Sequence, residues 1–336
     1  MGIRRTIGRI GVQSALFKVG HQARRLARSE LCVLAYHRVI CPRHAYDPEN
    51  VSADTENFDW QMRYMRDNYD VISFAELNSA IEKGESLPKR SALITFDDGF
   101  ADNYFNAFPI LKELNLSALF NVVTSKVGCR KMFWFDRAAC LVRRSESGRR
   151  LQFGGFERIV DNTNRNPVTA ALLQFLKDQP DTVRRDYVAC IDEQLRDCMP
   201  SEAELAPHYP LNWEQILLMS SAGMEIGSHT HSHPILAKLA DTETIDHELK
   251  HSRSLIEGHT GKPCLALAYP EGLDYAIDKR VLDAAERAGY AFALTSLRGI
   301  NALPLQAPHK IDRIQIHHSN DKTLFEASVQ FPELVV

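Results

Sequence analysis

Short apolar runs alternate with stretches of helical periodicity through most of the chain. Cys32–Tyr36, Val71–Phe74, Ala92–Phe96, Ala118–Val123, Met224–Ile226, Leu265–Tyr269, Ala291–Leu294 and Ile311–Ile316 have the length and apolar content of buried strands. Between them the apolar residues fall three and four apart: Phe58, Met62 and Met65; Leu111 and Leu114; Ile245, Leu249 and Leu255; Val281, Leu282 and Ala285. Strand and helix in alternation predict parallel β/α units. Seven or eight of them predict an α/β fold of the (β/α)7-8 barrel kind, distorted rather than regular. The alternation breaks over residues 129–212, where Arg- and Asp-rich helical patterns (Thr169–Leu176, Thr182–Arg196) predict a helical insertion on a barrel loop.

The first 30 residues stand apart. They hold Arg4, Arg5, Arg9, Lys18, Arg24, Arg25 and Arg28, while Val12, Leu16, Val19, Ala23 and Leu26 keep the spacing of one helix face. Such a basic amphipathic segment docks on the barrel or lies on an anionic membrane surface, and docking is the preferred expectation. The expected organisation is therefore a segment 1–30 and one domain, 31–336, carrying the insertion. Forty basic against 43 acidic residues leave a formal charge of -3, which predicts no general affinity for nucleic acid. There is neither a membrane-spanning apolar run nor a signal-peptide pattern, and the seven scattered cysteines form no C-x-x-C pair. A reduced, cytoplasmic setting is expected, with peripheral contact at the inner membrane face through the N-terminal segment as the second expectation.

Two segments carry chemistry. Thr95-Phe96-Asp97-Asp98-Gly99 puts two carboxylates behind a buried-strand pattern, at the barrel end where active sites form. His229, His231 and His233 follow another strand pattern, in Gly227-Ser228-His229-Thr230-His231-Ser232-His233-Pro234. Three imidazoles so close together are hard to satisfy as core residues, and with a carboxylate they suit a catalytic metal site open to water. Pro234 disfavours helix at His233, so the ligands must come from a turn. Adjacent aspartates do not suit a glycosidase, which needs carboxyls on opposite sides of the bond. A third feature, Phe133-Trp134-Phe135-Asp136, reads either as core packing or, through Trp134, as a sugar-stacking surface.

Together these strings resemble the polysaccharide deacetylases, the NodB-homology family of carbohydrate esterases. Residues 95–99 match T-F-D-D-G, 229–233 match H-[S/T]-x-x-H, and Tyr36-His37-Arg38-Val39 resembles the first-strand motif of the branch with poly-N-acetylglucosamine deacetylases. The resemblance implies one divalent metal, Zn²⁺ or else Co²⁺ or another transition ion, held by Asp98, His229 and His233, with Asp97 as general base. Ala268-Tyr269-Pro270-Glu271-Gly272 stands where the family has R-x-P-Y-G. It implies that the Glu271 N–H receives the oxyanion, with Tyr269 and His37 beside the substrate. The usual arginine that orients the base is absent at Ala268; Arg313 is a candidate replacement, or else an outward-facing surface cation. His317, ahead of His318 and His37, corresponds to the histidine that protonates the leaving amine. The implied reaction is N-deacetylation of an N-acetylated sugar in a surface polysaccharide or its lipid-linked precursor. An amidohydrolase or deformylase acting on a small or lipid-linked amide, and a silent glycan-binding barrel, are the alternatives.

Overall fold

The structure, a computed structural model, describes residues 29–332. The expectation for the basic N-terminal segment therefore lies, save for its last two residues, outside the described residues. Nine strands form one curled sheet: β1 (Glu30–Tyr36), β2 (Asp70–Val71), β3 (Arg90–Phe96), β4 (Leu119–Val122), β5 (Glu225–Ser228), β6 (Ala266–Ala268), β7 (Phe292–Leu294), β8 (Asn301–Ala302) and β9 (Ile314–Gln315). Their order is β7-β6-β5-β4-β3-β1, parallel throughout. β2 pairs with the start of β3, while β8, antiparallel, and β9, parallel, share the far edge of β1.

Closure of the sheet is left to one irregular segment. Ile311 bridges to Leu294 of β7, and three residues later Ile314 pairs with Leu34 of β1. The barrel is distorted at this seam, and Arg313 sits within it.

Alternate residues of each strand enter two apolar layers, as the two-residue period of a strand requires. Cys32, Leu34, Tyr36, Ile94 and Phe96 pack against the helices Thr55–Asn68 and Thr242–Thr260. Leu31, Val33, Leu93, Ala266, Ala268 and Phe292 form the other layer, closed below by Phe74 and Leu77 of the helix Phe74–Lys83. Burial on both faces explains why the strands read as continuous apolar runs. β1 and β3 run in register from Glu30 opposite Arg90 to Tyr36 opposite Phe96, so His37 and Asp97 leave the sheet side by side.

Local chemistry shifts two expected elements. The strand expected over Val71–Phe74 ends at Val71, because Ser73 and Glu76 form a capping box that starts a helix at Phe74. The insertion is not wholly helical. Besides the helices Trp134–Arg144, Arg165–Lys177 and Asp181–Gln194 it holds an antiparallel hairpin, Arg149–Phe153 with Phe156–Val160. Gly154 and Gly155, at φ +50° and +85°, make its two-residue turn. The insertion has an apolar core of its own around Leu141, Leu151, Leu172 and Ile191.

Candidate active site

The site forms at the carboxyl ends of β1, β3, β5 and β6. Just past β3 the backbone turns into the left-handed region at Asp98 (φ +70°) and Gly99 (φ +71°), which separates the two neighbouring carboxylates. A non-glycine residue in that region is strained, and such strain gathers at functional sites. Thr230, His233 and Glu271 share it, at φ +67°, +63° and +63°.

Asp97 is buried and accepts three hydrogen bonds from two side chains. Arg313 Nη1 donates to Oδ1 at 3.0 Å and Nη2 to Oδ2 at 2.7 Å, and Asn121 Nδ2 donates to Oδ1 at 2.9 Å. The guanidinium, buried as well, also donates to Thr95 Oγ1 at 3.2 Å and the Thr295 carbonyl at 2.6 Å. Of the two roles open to Arg313 in the sequence, this geometry is the inward one: it supplies the cation that Ala268 cannot. Burial alone would raise the Asp97 carboxyl, but the Arg313 charge overrides it and holds the group far below the usual carboxylate range. Asn121 fits because residue 227 is glycine; a Cβ there would stand 2.2 Å from Asn121 Oδ1.

Asp98 faces the other way, towards two imidazoles. Its Oδ1 lies 3.5 Å from His229 Nε2 and 3.4 Å from His233 Nε2, and one ligand atom from each of the three residues falls within 4.8 Å of the others. His229 Nδ1 lies 2.8 Å from the Ala268 carbonyl, which fixes the ring and turns Nε2 towards the carboxylate. Burial lowers His229 to about 4, so the imidazole is neutral, as a metal ligand must be. One carboxylate and two imidazoles on a turn, with the second nitrogen of His229 anchored, fit a divalent transition ion.

His231, between the two, points elsewhere. Its Nδ1 lies 2.9 Å from Thr124 Oγ1, and its ring packs towards His251 and His247. The turn itself is tied down by Glu248, which accepts from the backbone N–H of His231 and Ser232 and from the Ser232 hydroxyl.

A cavity of about 270 Å³ lies over Asp97, Asp98, His229 and His233. Tyr269 and Glu271 line it, as does His37 from the end of β1. The insertion supplies the opposite wall through Phe135, Leu173 and Lys177, and the loop after β1 adds Asp47, Glu49 and Asn50. Lys177 Nζ lies 2.9 Å from Glu271 Oε1, so the insertion grips the turn that follows β6.

Two expected residues are displaced from the cavity. His317 does not line it; its Nδ1 lies 2.7 Å from Ser319 Oγ and its Nε2 3.3 Å from Glu49 Oε2, at the rim. Because β9 is short, the chain has already left the barrel by residue 317, whereas the long register of β1 carries His37 to the wall. Trp134 is likewise absent from the lining and packs in the insertion core beneath Arg184. It begins a helix in which each residue turns about 100° from the last, so Phe135, not Trp134, faces the cavity. Asn121 was detectable only as the polar residue inside a buried-strand pattern, and no local pattern marks Leu173 or Lys177.

Comparison with known proteins gives a consistent answer. The polysaccharide deacetylase family model matches residues 84–293. The poly-beta-1,6-N-acetyl-D-glucosamine N-deacetylase of Escherichia coli (strain K12) is 32% identical over 95 residues, which cover 28% of this chain and 14% of that protein. The matched stretches span about a third or less of the curated relatives' length. Among solved structures, the Streptococcus pyogenes deacetylase PplD in complex with acetate aligns over 90% of this chain and 99% of its own, with 20% identity and a TM-score of 0.59. IcaB from Ammonifex degensii aligns over 90% and 97%, with 18% identity and a TM-score of 0.59. At these identities the two structures establish the shared fold.

Proposed function

The chain belongs to the polysaccharide deacetylase family, and on that premise we propose that it is a hydrolase that removes the N-acetyl group from an amino sugar of a glycan, with one divalent metal. The observation that carries the reading is the joining, in one cavity, of the Asp98–His229–His233 trio and an Asp97 held by Arg313. The ion, Zn²⁺ by preference with Co²⁺ or another transition metal as alternatives, would supply a Lewis acid that acidifies water and polarises the acetamide carbonyl.

The chain's own groups divide the remaining work. Asp97 takes the proton of the attacking water, aligned by Arg313 and Asn121. The Glu271 N–H donates to the developing oxyanion from its left-handed turn. His37 on the cavity wall, rather than His317 at the rim, protonates the leaving nitrogen. Acetate and a free amine result. The cavity volume, near the lower end for small-molecule sites, suits a single sugar residue, either in a polymer or in its lipid-linked precursor.

The test is metal analysis of the purified chain combined with amine release from N-acetylglucosamine oligomers. Close to one equivalent of metal and a chelator-sensitive release of amine are expected. Bound metal without release from any acetylated glycan would move the reading to a small-amide hydrolase, and a chain that binds no added metal would leave a glycan-binding barrel.

Lys177 gives a narrower expectation. Lys177→Met frees the Glu271 turn and misplaces its N–H, so kcat should fall between about 10- and 100-fold. Metal content should not change, and Lys177→Arg should retain most of the activity. An unaltered kcat in Lys177→Met would remove the insertion from oxyanion positioning.

A further inference from the structure

His37 lies one residue past the last pair of β1 and β3, so its backbone groups find their partners among side chains. Its N–H donates to Ser52 Oγ at 2.8 Å, and its carbonyl accepts from Asn103 Nδ2 at 2.8 Å. The short ladder between Arg38–Val39 and Val51–Ala53 brings Ser52 alongside. Val39 is held in a similar way. Its N–H donates to Asp102 Oδ1 at 2.9 Å, and its carbonyl accepts from Asn106 Nδ2 at 2.7 Å. The Asn103 amide has only one workable orientation, because the His37 carbonyl and Asp102 Oδ1, 3.3 Å away, both accept from its nitrogen.

Asp102 and Asn103 follow directly on the turn that separates Asp97 from Asp98, and Asn103–Ala107 forms a π-helical turn. Such turns are rare within helices and frequently mark functional sites. One short run, Asp97 to Asn103, therefore carries the base, a metal-ligand candidate and the side chains that grip the backbone of His37. Asp102 is itself fixed. Its Oδ2 accepts from Arg38 Nε at 2.8 Å, and Ser52, Arg38, Asp102 and Asn103 are all buried. The same guanidinium donates to the Pro207 carbonyl at 3.1 Å, and its Nη1 lies 2.9 Å from His208 Nδ1 and 4.0 Å from Asp136 Oδ2. Arg38 thus ties the segment after β1 to both ends of the insertion.

We propose that Asp102 and Asn103 are positioning residues for proton donation by His37, with Arg38 holding Asp102 in place. The inference rests on the reading of His37 as the group that protonates the leaving nitrogen. Neither side chain needs to touch substrate. Together they fix where the His37 backbone leaves β1, and so where its imidazole meets the cavity.

The test compares Asp102→Asn, Asn103→Ala and His37→Ala on two substrates, N-acetylglucosamine oligomers and para-nitrophenyl acetate. The amide nitrogen must gain a proton as its bond to carbon breaks, whereas para-nitrophenolate leaves as the anion and needs none. In Asp102→Asn the new NH2 group opposes either Arg38 Nε or the Val39 N–H, which opens one side of the grip. Asn103→Ala removes the donor to the His37 carbonyl and serves alone if Asp102→Asn does not fold. In each of the two, kcat on the oligomers should fall by about 10- to 100-fold, with KM and metal content near the parent values. Hydrolysis of para-nitrophenyl acetate should fall by no more than about threefold. Added to His37→Ala, Asn103→Ala should lower oligomer turnover by less than about twofold further.

Equal losses on the two substrates would overturn the proposal, since the residues would then support the fold or the metal site and not the proton donor. Unchanged oligomer turnover in Asn103→Ala would overturn it as well, and so would a full further loss in the His37→Ala background. These outcomes leave the deacetylase reading standing. A parent chain that releases no amine from the oligomers would overturn that reading, and this inference with it.

Discussion

Replacing Arg313 with Met should cost about 3–5 kcal/mol of stability at neutral pH, because it leaves the buried Asp97 carboxylate without its cation. The same substitution should displace the acid limb of the pH–rate profile. Arg313 holds Asp97 ionised against the effect of burial; without it burial raises the carboxyl, and the fraction of active, ionised base falls at a given pH. The limb therefore moves to higher pH. For stability the sign is worked out from the same shift. In the native chain Asp97 is depressed, so its contribution is present above the unfolded value of about 3.9 and is lost as pH falls through the folded value. In the variant the folded value is raised, so its stability falls as pH rises above about 3.9. The Tm deficit should be larger at pH 7 than near pH 4, and Arg313→Lys should recover part of it. Thermal melts at both pH values, with metal content measured in parallel, check this. An equal deficit at the two would mean that the loss comes from packing and not from the Asp97 charge.

Arg313 also shows where a sequence stops being legible. The candidate-site strings at residues 95–99 and 229–233 were readable because each is local and lies at the end of a buried strand, where a barrel presents its chemistry. The strand alternation was readable for the same reason. Arg313 meets Asp97 across 216 positions, through a seam in which Ile311 bridges to one strand and Ile314 to another. Nothing within a few residues of it distinguishes an inward guanidinium from an outward one. His37 was quoted within its motif, but its preference over His317 depended on how far β1 and β9 each extend. The insertion was visible as a break in pattern, yet its contribution to the cavity rests on which turn of a helix Leu173 and Lys177 occupy. Long-range closure and helix phase, not residue chemistry, separate what was legible from what was not.

Asp97→Asn should lower turnover by about 10²- to 10⁴-fold while the metal stays bound. The amide matches the carboxylate in shape but cannot accept the proton of the attacking water at neutral pH. Asp98→Asn should behave differently, with metal lost along with activity, because Asp98 and not Asp97 belongs to the trio with His229 and His233. Stability adds an independent check on the same pair. Asp97→Asn leaves the Arg313 guanidinium buried without a counter-charge, whereas Asp97→Asn combined with Arg313→Met removes both charges together. The double variant should therefore be more stable than the sum of the single losses predicts, by an interaction of about 1–3 kcal/mol, and remain inactive. Recovery of stability without recovery of turnover separates the two functions of the ion pair, holding the barrel seam and presenting the base. An Asp97→Asn chain that keeps its metal and more than about a tenth of the parent turnover would take the general-base role from Asp97.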